Sequence, residues 1–258
     1  FFLPRFQPIE VLKPFLIIIL ATILCDIKSN ILFKYLISIF LISFISLLLI
    51  AQPDIGQTLL VIFCWAVLIF TSGINIYILL AIFIAGASLL TYLIIYVPRF
   101  DYIQGRIFSF FNRETGTHNF QSDKAIESIT SGGFFGKGIG EGVLKNRVPE
   151  AHTDYIISVI SEEFGVVAIM LILLLFLILI YMVFKKISFE TNDKVKLILI
   201  GSISLILMQA TIHIGVNIRL FPTTGMTLPF LSYGGSSIIS TSILAGIILN
   251  LTKRKITK

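Results

Sequence analysis

A short polar run, Pro149-Glu150-Ala151-His152-Thr153-Asp154, opens directly into an apolar stretch that begins at Tyr155. A carboxylate held at such a lip faces water and lipid headgroups together. That place suits chemistry on a lipid-borne polar substrate. Neither a plain soluble enzyme nor a lipid-buried anchor would need it. If Asp154 starts a helix, then Asp154, Ser158 and Glu162 recur at i, i+4 and i+8 on one face. At 1.5 Å per residue, that face carries carboxylates about 12 Å inward. Glu162 and Glu163 are ionisable groups inside an apolar run, a placement that usually marks a bundle interior or a wet cavity. The plainer reading makes Thr153 or Asp154 an N-cap that satisfies free amides. With Glu150, His152, Glu162 and Glu163 nearby, a functional role is the stronger expectation, and the two roles are compatible.

Other segments carry weaker signals. Gln52-Pro53-Asp54-Ile55-Gly56-Gln57-Thr58 reads equally as a proline turn with Asp54 as cap or as a substrate contact through Gln52 and Asp54. The segment from Phe221 to Pro229, which includes Thr224, and the following Ser232-Tyr233-Gly234-Gly235-Ser236-Ser237 interrupt an apolar stretch with two prolines and three glycines. Non-helical backbone at membrane depth persists only when buried in protein or lining a cavity. Small residues also permit tight helix packing, which accounts for the Gly-Gly-Ser-Ser portion. The Pro-Thr-Thr-Gly portion fits a re-entrant cavity wall better. Gly132, Gly133, Gly136, Gly138, Gly140 and Gly142 lack the dinucleotide spacing and point to a compact, turn-rich surface loop. Glu10 and Lys13 can pair at i, i+3. Exposed, that pair would be worth little, although a Lys at the outer end of a helix could hold a phosphate. His118 and His213 are isolated and are assigned no role.

These residues must be positioned by membrane helices. The chain has 258 residues, 56% hydrophobic and 13% charged, with mean hydropathy +0.98. Soluble domains run nearer a quarter charged. Seven apolar runs, 9–24, 31–50, 56–71, 74–97, 155–184, 195–216 and 227–250, are candidate spans of roughly 20 residues each. No ten-residue alternation of the barrel type occurs. The fold class expected is therefore all-α, a polytopic membrane helix bundle of about seven transmembrane helices. It forms a single membrane domain over 1–258. Cys25 and Cys64 read as small hydrophobes, neither a disulfide framework nor a metal site.

The net charge of +6 does not indicate nucleic acid, because the basic residues cluster in short loops and at the C-terminus. Lys28 and Lys34, then Lys185, Lys186, Lys194 and Lys196, then Lys253, Arg254, Lys255 and Lys258 mark one side. The positive-inside rule makes that side cytoplasmic, with the C-terminus inside and the large loop 98–154 extracytoplasmic. That loop carries seven Lys/Arg and seven Asp/Glu and is too long for an idle connection. The opening, Phe1-Phe2-Leu3-Pro4-Arg5, has the look of a protein's middle, with an N-terminal part expected before it.

Taken in order, several motifs resemble the SEDS family (shape, elongation, division and sporulation), the FtsW/RodA/SpoVE group of bacterial wall polymerases. They are Q-P-I-E-V-L-K at Gln7, Q-P-D-I-G-Q-T at Gln52, S-G-G-F-F-G-K-G-I-G at Ser131, P-E-A-H-T-D-Y-I at Pro149, E-E-F-G at Glu162 and P-T-T-G-M-T-L-P-F-L-S-Y-G-G-S-S at Pro222. The wording T-T-G-M-T-L-P is closer to the division-type branch. The resemblance implies ten helices, so that about three spans would precede this chain. It implies a peptidoglycan glycosyltransferase of the cytoplasmic (inner) membrane, joining lipid II on the outer face and releasing undecaprenyl pyrophosphate. It places the family's essential Asp on Asp154 and its motif Glu and Lys on Glu10 and Lys13, while Ile9 stands where that motif has Ser. It implies a class B penicillin-binding protein and other divisome membrane proteins as partners.

On that reading Asp154 is the general base toward a sugar hydroxyl, a role worth about 10²–10⁴-fold. Lys13 is the first choice to meet the leaving pyrophosphate, with Arg147 as a loop candidate. Glu150, His152, Gln52, Asp54, Glu10, Glu162, Thr224 and Ser232 complete the expected substrate-contacting set. Asp154 or Glu150 could hold Mg²⁺ or Mn²⁺, and no organic cofactor is expected. The rival readings are a lipid II flippase or transporter, which predicts related halves with broken helices, and a non-catalytic divisome scaffold.

Overall fold

The structure is a computed structural model and describes residues 7–26, 31–111, 117–144 and 148–253. Regular structure among them is helical: α1 (Pro8–Asp26), α2 (Ile31–Ala51), α3 (Ile55–Thr71), α4 (Ile76–Tyr96), a 3₁₀ turn (Pro98–Phe100), α5 (Asp101–Phe111), α6 (Thr117–Gly132), α7 (Ile156–Phe189), α8 (Asp193–Asn217) and α9 (Gly235–Thr252). A membrane interior leaves backbone amides no partner but each other, and an apolar run long enough to cross therefore closes into a helix. Six of these helices are long and apolar enough to cross, and α3, at 17 residues, is a shorter apolar helix. The chain is a multi-pass membrane protein, with apolar helices where the seven runs stand. The last begins later than expected, at Gly235 rather than residue 227, because the prolines and glycines of 222–234 keep that stretch non-helical.

The described residues group into two compact units. One comprises Phe1–Leu79, Phe176–Met208 and Gly234–Lys258, the other Leu80–Leu175 and Gln209–Tyr233.

In the first unit α1 packs on α2, α3 and α9, and α2 on α3. Its core gathers Ile17, Cys64, Val183, Leu199, Ile203, Leu205, Ile206, Leu244 and Ile248. Cys64 packs there as a hydrophobe, with its Sγ 3.6 Å from the Gly201 carbonyl oxygen. Neither Cys25 nor Cys64 is in a disulfide. Asp54 caps α3: its carboxylate accepts the Gln57 amide at 3.1 Å, and its carbonyl accepts the Thr58 hydroxyl at 2.7 Å.

In the second unit, the stretch expected to be an irregular loop contains α5 and α6, which pack on each other. Neither is apolar enough to stand out in the sequence, but both bury a stripe, including Ile103, Ser109, Ala125 and Ser128. The glycine-rich stretch after α6 is also more than a surface loop. Its backbone lies against a break in α7 at Gly165, whose φ of 76° no ordinary helical residue adopts. A Cβ on Gly165 would stand 2.2 Å from the Phe134 carbonyl oxygen, and one on Gly136 would stand 2.1 Å from the Glu163 carbonyl oxygen. Across this contact the amides of Lys137 and Gly138 donate to the carbonyls of Glu162 and Glu163, and the Val166 amide donates to Gly133.

Candidate active site

Asp154 does not start α7. It sits in a turn two residues before Ile156. The turn is built on Glu150, whose carbonyl accepts the amides of Thr153, Asp154 and Tyr155 at 3.1, 3.0 and 3.3 Å. Glu150 itself is held at φ 52°, a left-handed conformation that costs a non-glycine residue about 1–3 kcal/mol. Its carboxylate accepts the Thr153 hydroxyl at 3.0 Å.

This turn projects Asp154 and Glu150 into a cavity of about 240 Å³ within the second unit, lined by Arg106, Gln121, Glu150, Asp154, Tyr155, Val216, Thr223, Gly225 and Met226. Residues 222–228 are non-helical, and three of them form one wall. Gly225 has φ +69°, and a Cβ there would lie 3.5 Å from Asp154 Oδ2. Arg106, from α5, donates from Nη1 to the Thr223 carbonyl at 2.9 Å.

The electrostatics follow from this lining. Burial pushes the Asp154 carboxyl up to about 6, the Glu150 charge adds to the rise, and the Arg106 guanidinium opposes it. Burial also raises the Tyr155 phenol, with the Asp154 charge adding to it and Arg106 again opposing. The Tyr155 hydroxyl is buried, with no hydrogen-bond partner among the described residues. A carboxyl near 6 is mostly ionised at pH 7 and is a stronger base than an ordinary aspartate.

The other expected site residues are distributed as follows. Glu162 and Ser158 are fully buried in α7 and do not line the cavity. The face expected to run unbroken from Asp154 fails because the helix starts after it. Glu162 instead accepts the amides of Val143 and Leu144, both at 2.9 Å, and the Ser128 hydroxyl at 3.1 Å, and pairs with Lys137 at 3.3 Å. The His152 side chain is exposed, and its carbonyl accepts the Tyr233 amide at 2.9 Å. Ser232 is buried and bonded to Thr153 and Leu228. Thr224 is half-buried, between two lining residues. Arg147 lies outside the described residues.

In the first unit Gln52 is exposed and Asp54 is the α3 cap. Glu10 and Lys13 pair across one turn, as their spacing allows, but the pair is buried: they lie 2.8 Å apart, with Gln57 bonded to each.

Sequence reasoning does not single out Arg106, Gln121, Tyr155 or Thr223. Arg106 and Gln121 lie on helices whose polar composition hides them, and only the proline–glycine interruption around Thr223 gives a signal. Among the described residues no group of three or more His, Cys, Asp or Glu could hold a metal ion. Asp154 and Glu150 are the cavity carboxylates that would hold a Mg²⁺, an ion that takes one or two carboxylates and keeps its waters.

The family model of the cell cycle proteins FtsW, RodA and SpoVE matches residues 2–256. The "Probable peptidoglycan glycosyltransferase FtsW" of Caulobacter vibrioides (strain NA1000 / CB15N) is 34% identical over 96% of this chain and 63% of its own length. The protein of the same name in Enterococcus hirae is 32% identical over 98% of this chain and 66% of its own. The chain thus spans a little under two thirds of these relatives. Among solved structures, a chain of a peptidoglycan synthase complex superposes with TM-score 0.79 at 26% identity, covering 100% of this chain and 74% of that one. The rod shape determining protein RodA of Thermus thermophilus superposes with TM-score 0.66 at 28% identity, covering 98% and 67%. With residues 2–256 matched by the family model, the chain belongs to the FtsW/RodA/SpoVE family of cell cycle proteins.

Proposed function

We propose that the protein carrying this chain is a peptidoglycan glycosyltransferase that polymerises lipid II during cell division. The observation that carries the reading is the Asp154 carboxylate, raised to about 6 in a cavity that it shares with Arg106. The names of the relatives support the reaction class.

Asp154 takes the proton of the acceptor sugar's 4-hydroxyl as its oxygen attacks the donor's anomeric carbon. The glycosidic bond forms as the bond to the pyrophosphate breaks. The α-linked donor becomes a β-linked product by inversion. Undecaprenyl pyrophosphate leaves, and its charge is met by Arg106, which the Thr223 carbonyl holds in place. Lys13 is the sequence's first choice for that role, but its buried bonds to Glu10 and Gln57 make Arg106 the better-supported cation. A Mg²⁺ or Mn²⁺ on Asp154 and Glu150 would supply further positive charge toward phosphate oxygens.

The clustering of Lys and Arg in the short loops and at the C-terminus supports a cytoplasmic C-terminus and an extracytoplasmic loop 98–154. The similar solved complex is described as coordinating polymerization and crosslinking. That supports a crosslinking partner here too, a class B penicillin-binding protein. The test is polymerisation of labelled lipid II by the intact protein with its transpeptidase partner. Asp154→Asn should abolish glycan strands while the protein still reaches the membrane. Normal strands from that variant would refute the assignment.

A further inference from the structure

We infer that Asn217 and Ser232 are positioning residues that hold the Asp154 backbone for catalysis. This rests on the reading of Asp154 as the base. Three consecutive carbonyls of its turn are each taken by a donor from the Gln209–Tyr233 segment of the same unit. The His152 carbonyl accepts the Tyr233 amide at 2.9 Å. The Thr153 carbonyl accepts the Ser232 hydroxyl at 2.6 Å. The Asp154 carbonyl accepts the Asn217 side-chain amide at 3.1 Å.

The chemistry of the partners fixes each direction. Asn217 Nδ2 also donates to the His213 carbonyl at 2.9 Å, and two carbonyl neighbours leave only the nitrogen as the group that can face them. The Ser232 oxygen accepts the Leu228 amide at 2.8 Å, so its single proton goes to Thr153. Asn217 is 0% and Ser232 3% exposed, and neither lines the cavity. They therefore act through the Asp154 main chain rather than by touching substrate. The geometry moves Ser232 from the expected substrate contacts to this supporting role. A base displaced by about 1 Å can lose roughly 10²-fold in rate, which is what such a clamp guards against.

The experiment uses the intact protein with its transpeptidase partner and labelled lipid II, and compares Asn217→Ala, Ser232→Ala and Ser232→Thr. The two alanine variants should lower kcat about 10- to 100-fold with KM within about 2-fold. Ser232→Thr, which keeps the hydroxyl, should retain kcat within about 3-fold of the unsubstituted protein. Unchanged kcat, a raised KM at constant kcat, or Ser232→Thr as impaired as Ser232→Ala would each overturn the inference. If an alanine variant fails to accumulate, Asn217→Gln and Ser232→Cys are read by the same kcat and KM criteria. Asp154→Asn runs alongside: full activity there sinks the assigned base itself, whereas an inactive Asp154→Asn beside a normal Asn217→Ala sinks only the clamp.

Discussion

Lys13 Nζ lies 2.8 Å from Glu10 Oε2, one turn away on α1, and both side chains are buried. Gln57 of α3 closes the group, accepting from Lys13 at 3.1 Å and donating to Glu10 at 2.5 Å. A cation, an anion and an amide thus satisfy one another where water is excluded, and they tie α1 to α3. Removing one ion strands the other.

Lys13→Met is accordingly expected to destabilise the protein by about 3–5 kcal/mol, because it leaves Glu10 buried without its cation. The double variant Lys13→Met/Glu10→Gln should recover most of that loss. Thermal unfolding in detergent checks both. Equal stability of Lys13→Met and the unsubstituted protein would show that the pair is not coupled.

The second prediction concerns pH. The Asp154 carboxyl sits at about 6 in the folded protein against an ordinary 3.8. The folded state therefore binds that proton more tightly than the unfolded state. This group's contribution makes the protein less stable as pH rises from about 4 to about 6, a cost of up to about 3 kcal/mol that persists above. Activity runs the other way, since the base must be ionised: kcat/KM, which follows the free protein's groups, should fall about tenfold per pH unit below 6. Glu150, Arg106 and Tyr155 face the same cavity, and Glu150→Gln should move the limb toward lower pH. Asp154→Asn should be inactive yet more stable at pH 7. A variant both inactive and markedly less stable would point to a merely structural aspartate.

The apolar helices were legible because a bilayer sets both their length and their composition. Asp54 as a cap and the broken stretch around Thr223 were legible for a local reason: proline, glycine and short polar residues act within a few positions of themselves. The polar helices α5 and α6 were not, since a surface helix with a narrow buried stripe resembles a loop in composition. Glu162 shows the other limit. Its partners Ser128, Lys137, Val143 and Leu144 lie well away in sequence, and two of them bond through main-chain amides, which carry no residue signature. Arg106 and Asp154 come to line one cavity only through tertiary folding, for which spacing gives no sign.

Glu162 gives the third prediction. Its carboxylate anchors the backbone at Val143 and Leu144 to α7, and Glu162→Ala would take that acceptor from both amides and from the Ser128 hydroxyl. The two part-buried amides lose their acceptor, at about 1 kcal/mol each, while the Ser128 hydroxyl keeps the Ser158 carbonyl at 3.2 Å. Amide exchange at Val143 and Leu144 should quicken by at least about tenfold. Glu162→Gln keeps an acceptor oxygen for the amides and loses the charge pairing with half-exposed Lys137, a change of about 1 kcal/mol or less. Equal exchange in both variants would remove the anchor from consideration.

The last prediction contrasts two glycines in helices. Gly165 has φ 76°, and an added Cβ would meet the Phe134 carbonyl oxygen at 2.2 Å and the Gly136 nitrogen at 2.5 Å. Both obstacles are backbone, so no side-chain rotation relieves them. Gly165→Ala must therefore pull the glycine-rich stretch off α7 or straighten the helix, at a cost of more than about 3 kcal/mol. Gly246 lies within α9, and a Cβ added there would meet no described atom within 4 Å. There alanine removes the conformational freedom of glycine without a clash, and Gly246→Ala should leave stability unchanged or raise it by up to about 1 kcal/mol. Thermal unfolding of the two variants side by side reads the difference. If Gly165→Ala unfolds at the same temperature as Gly246→Ala, the break in α7 is not held by the contact with Phe134 and Gly136.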